Sequence, residues 1–404
     1  METMPCKPLD GFRVIDVTNV LAGPFCGNLL AHMGADVIKV EAPGHGDLAR
    51  QLGSDFALNR RLMGISFLAQ NAGKRSLVLD MKSAEGKEAL KKLVRRSDAL
   101  IENFRPGVMD RLGVGYGVLK QENPKLVYCA ISGFGQQGPM RDHPAFDQII
   151  QGISGVMSIT GAPENAPYRV GYPVADTIGG LTAAFAVSSA LAGRTRAGGC
   201  FLDVSMLDAT ISTMGWVVAN FLNAGKVPAP MGNENVTASP SGTFRTGDGL
   251  LNIAANKQEQ YESLCRAVGR EDLIADPRFR ERQTRLEMRF ELKAELELAL
   301  AKKSAQKWSE LLNKVDVPAG CVLTVPEALN LPQVVEREVI ETFMNVPGVE
   351  RDVRVVRPGV RINGKALSVT LPPPLLGQHS QEILDEFGLH IAAADRDGAV
   401  KAAS

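Results

Sequence analysis

Short apolar runs that alternate with helical stretches constrain this chain more than any other feature. "FRVIDV" at residues 12–17 reads as a strand, "TNVLAGP" as a turn, and "FCGNLLAHMG" as a helix with Pro24 at its start and Gly34 at its end. "ADVIKVE" returns as a second strand, and the unit repeats through "SLVLDM", the helix "SAEGKEALKKLVRRS", "ALIENF", "LVYCAIS" and "CFLDVSML". Strand runs of this length, each followed by a helical period, predict an α/β fold with a doubly wound, largely parallel sheet. The stretch "LNAGKVPAPMGNENVTASPSG" is rich in Gly, Pro, Asn and Ser and reads as a linker. "GTFRTGDGLLNIAA" then gives a strand–turn–strand signal, and charged helical periods occupy 261–315. The organisation expected is a large Rossmann-like domain at 1–221, a linker at 222–242, a smaller α+β domain at 243–330, and a return segment at 331–404 that docks on the large domain.

A chain of 404 residues is long for one core, in keeping with two domains. Lys plus Arg balance Asp plus Glu, 45 against 45, and no basic block stands out, so neither nucleic acid nor an anionic membrane is expected as partner. The opening "METMPCKPLDGFRVIDV" lacks a signal-peptide pattern, and the apolar stretch Gly179 to Gly193 reads as too short and too interrupted to span a bilayer. Six cysteines are scattered without a CxxC or a nearby His pair, so no disulfide and no metal are expected. These features together predict a cytoplasmic, enzyme-sized protein.

"GHGDLA" at 44–49 matches G-x-G-x-x-A, but Ala42 and Pro43 separate it from the preceding strand, and Asp80 is too distant to be the ribose-binding acid. Its glycines read instead as a loop whose backbone passes close to something else. No nucleophile elbow, P-loop or HExxH is present, and the five histidines are dispersed. His45, in the glycine loop, is either a surface residue or a ligand contact. What remains is carboxylate chemistry, since a carboxylate is a nucleophile at pH 7 without an activating base. "YRVGYPVADTIGG" sets Asp176 among small and apolar neighbours ahead of "LTAAFAVSSALAG". Asp176 is therefore a helix cap, a nucleophile, or both.

The motifs "RVIDVTNVLAGPFCGNLLAHMGADVIKVEAPGHGDLAR", "NAGKRSLVLDMKSAEGKEAL", "IENFRPGVMDRLGVGY", "AISGFGQQGP", "VADTIGG" and "PPPLLGQHSQEIL", in this order, resemble family III CoA-transferases. The resemblance implies reversible CoA transfer from an acyl-CoA to a short carboxylic acid through aspartyl-acyl anhydride and aspartyl-CoA intermediates, with Asp176 as nucleophile. It implies no cofactor beyond the coenzyme A thioester substrate, and a homodimer of interlocked rings. Val20, Leu79, Asn103, Phe104 and Arg111 match positions that line the family's CoA groove. Leu21 stands where formyl-CoA transferase carries a Gln, and Ala42 and Ser132 replace two of its cations. Phosphate contacts are therefore expected from Lys39, His45 or Arg50. "RVGYPVADT" is similar to transferases that use succinyl-CoA with itaconate, mesaconate, citramalate or glutarate. In that reading Arg169 pairs with the distal carboxylate, or forms a structural ion pair, and Gly135 and Leu21 border the substrate. The alternative is a 2-methylacyl-CoA racemase, but Phe146 occupies the position of the racemases' proton-carrying His.

Overall fold

The computed structural model describes residues 7–389. The first strand, β1 (Arg13–Asp16), leads into α1 (Ala22–His32), and β2 (Asp36–Glu41) and β3 (Lys74–Val78) follow. Then come α2 (Ala84–Arg95), β4 (Ala99–Glu102), α3 (Val108–Arg111), β5 (Val127–Ser132) and α4 (Asp147–Ile153). A long helix, α5 (Val174–Ala197), precedes β6 (Cys200–Ser205), α6 (Met206–Thr213) and α7 (Gly215–Ala224). The six strands form one parallel sheet in the order β3-β2-β1-β4-β5-β6, the doubly wound architecture expected from the alternating runs.

Both faces of this sheet are covered, which is why apolar side chains of its inner strands point to either side rather than to one face only. Val14, Val37, Ile101 and Cys129 face one core with Cys26 and Leu30 of α1 and Ala183 and Val187 of α5. Ile15, Ile38, Leu100 and Tyr128 face the other with Leu90 and Leu93 of α2. Local chemistry sets the helix starts. Ser83 caps α2 by accepting the Gly86 N–H at 2.9 Å, and a Cβ at Gly86 would lie 1.9 Å from the Asp80 carbonyl oxygen.

The apolar helix is longer than the sequence stretch suggested. Val174–Arg194 is long and apolar enough to cross a membrane by length and composition, yet α5 packs on α1, β5, β6 and α6. Its role in this unit is that of a core helix.

The chain groups into two units: residues up to Val156, Arg169–Lys226 and Pro332 onward form one, and Met157–Tyr168 with Val227–Leu331 form the other. The second unit holds an antiparallel sheet of β7 (Ser241–Arg245), β8 (Leu250–Ala254) and β9 (Ala319–Cys321). The helices that accompany it include α8 (Gln258–Val268), α9 (Arg289–Leu300) and α10 (Ala305–Asn313). Its core closes on Trp308, whose indole N–H donates to the Leu300 carbonyl at 2.7 Å. Back in the first unit, β10 (Ile340–Val346) and β11 (Arg351–Val356) make a hairpin. The last described helix, α11 (Ser380–Phe387), lies against β3, where the Ser380 hydroxyl accepts the Val78 N–H.

Candidate active site

The sheet order reverses between β1 and β4, so the loops leaving these strands diverge and open a crevice at their carboxyl ends. There a cavity of about 320 Å³ is bounded by Val17, Asn19, His45, Leu79, Lys82 and Phe104, among others. Three of the sequence-predicted groove residues, His45, Leu79 and Phe104, are thus brought together. Asn103 joins them through a paired amide contact: its Oδ1 accepts the Asn19 N–H and its Nδ2 donates to the Asn19 carbonyl, both at 2.8 Å. Val20 follows directly in that loop, and the exposed Arg111 ends α3, with no ion pair among the described residues.

Lys39 and Arg50 differ from the sequence reading. Both are fully buried. Lys39 Nζ sits 2.9 Å from Asp47 Oδ2 and donates to the Thr18 carbonyl, while Arg50 grips Glu41 through Nε and a terminal nitrogen at 2.6 and 2.8 Å. Cations committed in this way hold the groove floor and have no exposed atom to offer a phosphate. Lys82, exposed at the cavity mouth just past β3, is a cation the sequence reading passed over. Glu102 was also passed over. Its Oε2 accepts the Phe104 N–H at 2.7 Å, and burial pushes its carboxyl up to about 7.

Asp176 lies in the first turn of α5, inside the helix and not at the cap position. The cap is supplied from 28 residues away: Asp147 Oδ1 accepts the Ala175 N–H at 2.9 Å and the Asp176 N–H at 3.4 Å. Asp147 is buried, and its Oδ2 accepts the Gln151 amide, whose Oε1 accepts the Val170 N–H. The loop before α5 is therefore tied to α4, and the Asp176 carboxylate is left without a hydrogen-bond or ion-pair partner among the described residues. Burial, and then the neighbouring Asp147 charge, raise Asp176 to about 7. Gly180, one turn on along the same face, comes so near α1 that a Cβ there would lie 2.4 Å from the Ala22 carbonyl oxygen. This places Leu21 and the N-terminus of α1 beside the start of α5.

The other expected residues are dispersed. Arg169 is exposed and makes no ion pair among the described residues. Gly135, at φ +83°, lies at the ends of β5 and β6, where its N–H donates to Ser132 Oγ and the Asp203 and Ser205 side chains lie closest to the space a Cβ would fill. Phe146 is the exposed residue before α4 and carries no titratable group. Among the described residues, no group of three or more His, Cys, Asp or Glu side chains could hold a metal ion. A raised carboxylate at a helix N-terminus, unpaired among the described residues, is suited to nucleophilic attack on a bound electrophile.

Known proteins share this arrangement of sequence and fold. The acetyl-CoA:oxalate CoA-transferase of Acetobacter aceti is 41% identical over 344 residues, covering 84% of this chain and 87% of that one. The succinate–glutarate CoA-transferase of Agrobacterium fabrum is 36% identical over 402 residues, covering 96% and 98%. A solved CaiB/BaiF family protein from Brucella suis superposes with a TM-score of 0.82 at 33% identity, over 94% of this chain and 99% of that one. Residues 9–380 match the model of CoA-transferase family III, and the chain belongs to that family.

Proposed function

We propose that this enzyme moves CoA reversibly between an acyl-CoA, with succinyl-CoA the favoured donor, and a short dicarboxylic acid, with Asp176 as the covalent relay. The observation that carries the reading is the Asp176 carboxylate, which lacks a partner among the described residues and has its pKa raised at the head of α5. The related proteins act on oxalate, glutarate, mesaconate and D-citramalate, as their names state, and support a dicarboxylate acceptor.

An Asp176 oxygen attacks the thioester carbonyl carbon, the C–S bond breaks, and CoA thiolate leaves an aspartyl-acyl anhydride behind. The thiolate attacks the Asp176 carbonyl carbon, expelling the first acid and giving aspartyl-CoA thioester. The acceptor carboxylate displaces the thiolate to form a second anhydride, and thiolate attack on the acceptor carbonyl then restores the Asp176 carboxylate. Each step exchanges one acyl bond for another and needs no proton donor. The helix N-terminus favours the anion while the drier surroundings keep it reactive. In this scheme Val20, Leu79, Asn103, Phe104, Arg111 and His45 border the CoA moiety, and Leu21, Gly135 and Arg169 border the acids. The exposed Phe185, Trp216 and Leu222 fit a face that a second copy of the chain covers in a homodimer.

The test is mass spectrometry after mixing with succinyl-CoA and quenching with hydroxylamine. A hydroxamate on Asp176, absent in Asp176→Ala, is the expected result. No adduct with any acyl-CoA, together with deuterium uptake at the α-carbon of a 2-methylacyl-CoA, would replace the transferase with a proton-moving enzyme.

A further inference from the structure

Five consecutive main-chain groups in the loop after β1 are all bound by side chains. The Thr18 N–H donates to Asp16 Oδ1, and the Thr18 carbonyl accepts from Lys39 Nζ. Asn103 takes both the N–H and the carbonyl of Asn19, and the Val20 N–H donates to Asp47 Oδ1 at 2.9 Å. At the end of this series Val20 sits at φ +68°. A β-branched residue in the left-handed region is an outlier that its surroundings must impose. Here the surroundings are buried charges: Asp16, Lys39 and Asp47 are all at 1% exposure or less.

Asp47 occupies the centre. Its Oδ1 receives both Val20 and Ala49 N–H groups, and its Oδ2 pairs with Lys39 Nζ, which in turn reaches Thr18. Its own N–H donates to Glu41 Oε2, and that close approach is where Gly46 is needed, since a Cβ there would lie 2.7 Å from the same oxygen. The clamped loop is a wall of the cavity, through Val17 and Asn19. We propose that Asp47 is a positioning residue for the acyl-CoA: with Lys39 it fixes Val20 in the left-handed conformation, so the groove wall is rigid before the thioester arrives. The proposal rests on the reading of this groove as the CoA site. A wall ordered in advance spares binding the cost of ordering it, so loss of the clamp falls on acyl-CoA affinity rather than on the bond-making steps.

The experiment combines hydrogen exchange of the unliganded protein with steady-state kinetics. In Asp47→Ala, which removes the oxygen that accepts the Val20 N–H, the Asn19 and Val20 amides exchange about tenfold faster or more, KM for succinyl-CoA rises about tenfold, and kcat and the acceptor KM stay within about twofold. A general loss of folded protein would instead lower kcat and leave KM unchanged. Val20→Pro, which locks φ at about −65° and removes the N–H while leaving every buried charge paired, raises the same KM and serves if Asp47→Ala does not fold. Unchanged exchange in Asp47→Ala overturns the clamp. Faster exchange with unchanged KM overturns the positioning role. A wild-type protein that neither binds nor turns over any acyl-CoA sinks the functional reading instead, while the exchange result still decides whether the clamp exists.

Discussion

Two sets of carboxylates in this molecule meet the same solvent-poor surroundings with opposite results. Beneath the groove, Asp16, Glu41 and Asp47 are buried with Lys74, Arg50 and Lys39, one cation for each acid. Burial alone would raise Glu41, but the Arg50 guanidinium outweighs it and holds the carboxyl down at about 2. Asp16 is likewise lowered by Lys39 and Lys74 against the pull of burial. At the head of α5, Asp176 has no cation partner among the described residues and faces Asp147, and its pKa rises to about 7. Desolvation is common to both regions, and the paired counter-charge decides the sign. The first arrangement makes a floor. The second leaves a group whose charge is costly to keep and available for chemistry.

The largest effect that tests this contrast is on Asp176 itself. Asp176→Ala should lower kcat by about a thousandfold or more, read in a coupled CoA-transfer assay with succinyl-CoA. The companion Asp176→Asn should be more stable than wild type at pH 8. A carboxyl raised from 3.8 to about 7 supports the fold while protonated and loses that support as pH climbs through about 7, a difference of up to about 4 kcal/mol. Equal thermal midpoints for the two proteins at pH 8 would mean that the Asp176 charge is well solvated and the contrast false.

Next is the floor. Glu41→Gln strands the buried Arg50 and should cost about 3 kcal/mol in urea unfolding at pH 7. Because the Glu41 pKa is depressed, the wild-type advantage should be intact above about pH 4.5 and fade as pH falls toward about 2. A loss below about 0.5 kcal/mol would show that the pair is no more than a surface contact.

Asp147→Asn sharpens the comparison at the head of α5. Removing the like charge while keeping an amide oxygen for the α5 cap should move the acid limb of the kcat/KM profile down by up to about one pH unit. An unmoved limb would assign the raised pKa to burial alone. The smallest effect is expected at Arg169, where substitution by Ala should raise KM for a dicarboxylate acceptor several-fold, about 1 kcal/mol, and leave a monocarboxylate unaffected. Equal changes for both acids would remove Arg169 from recognition.

Much of this was legible because it is local. The apolar runs marked the sheet, Pro24 and Ser83 marked helix starts, and the motif order around Asp176 marked the carboxylate proposed as nucleophile. What was not legible depends on how the chain folds back on itself. Lys39 and Arg50 read as phosphate contacts because their spacing to Asp47 and Glu41, eight and nine residues along the chain, does not announce that the loop closes each pair in the core. Asp176 read as a cap, a nucleophile or both because nothing near it in sequence announces Asp147, 29 residues earlier, as the group that takes the cap. Lys82 went unnoticed because a lone Lys after a strand carries no signal until the groove beside it exists.

The short segment Met157–Tyr168 belongs with Val227–Leu331, and the Gly232 N–H donates to the Gly161 carbonyl at 2.8 Å between those two stretches. The chain therefore passes from one unit to the other four times. No single proteolytic cut can release either body intact, and a fragment spanning only residues 227–331 would lack the strip that its glycine backbone binds. Excision, swapping or grafting of the smaller unit must carry two separate pieces of chain, so variation in this scaffold is confined to changes that keep both excursions in step.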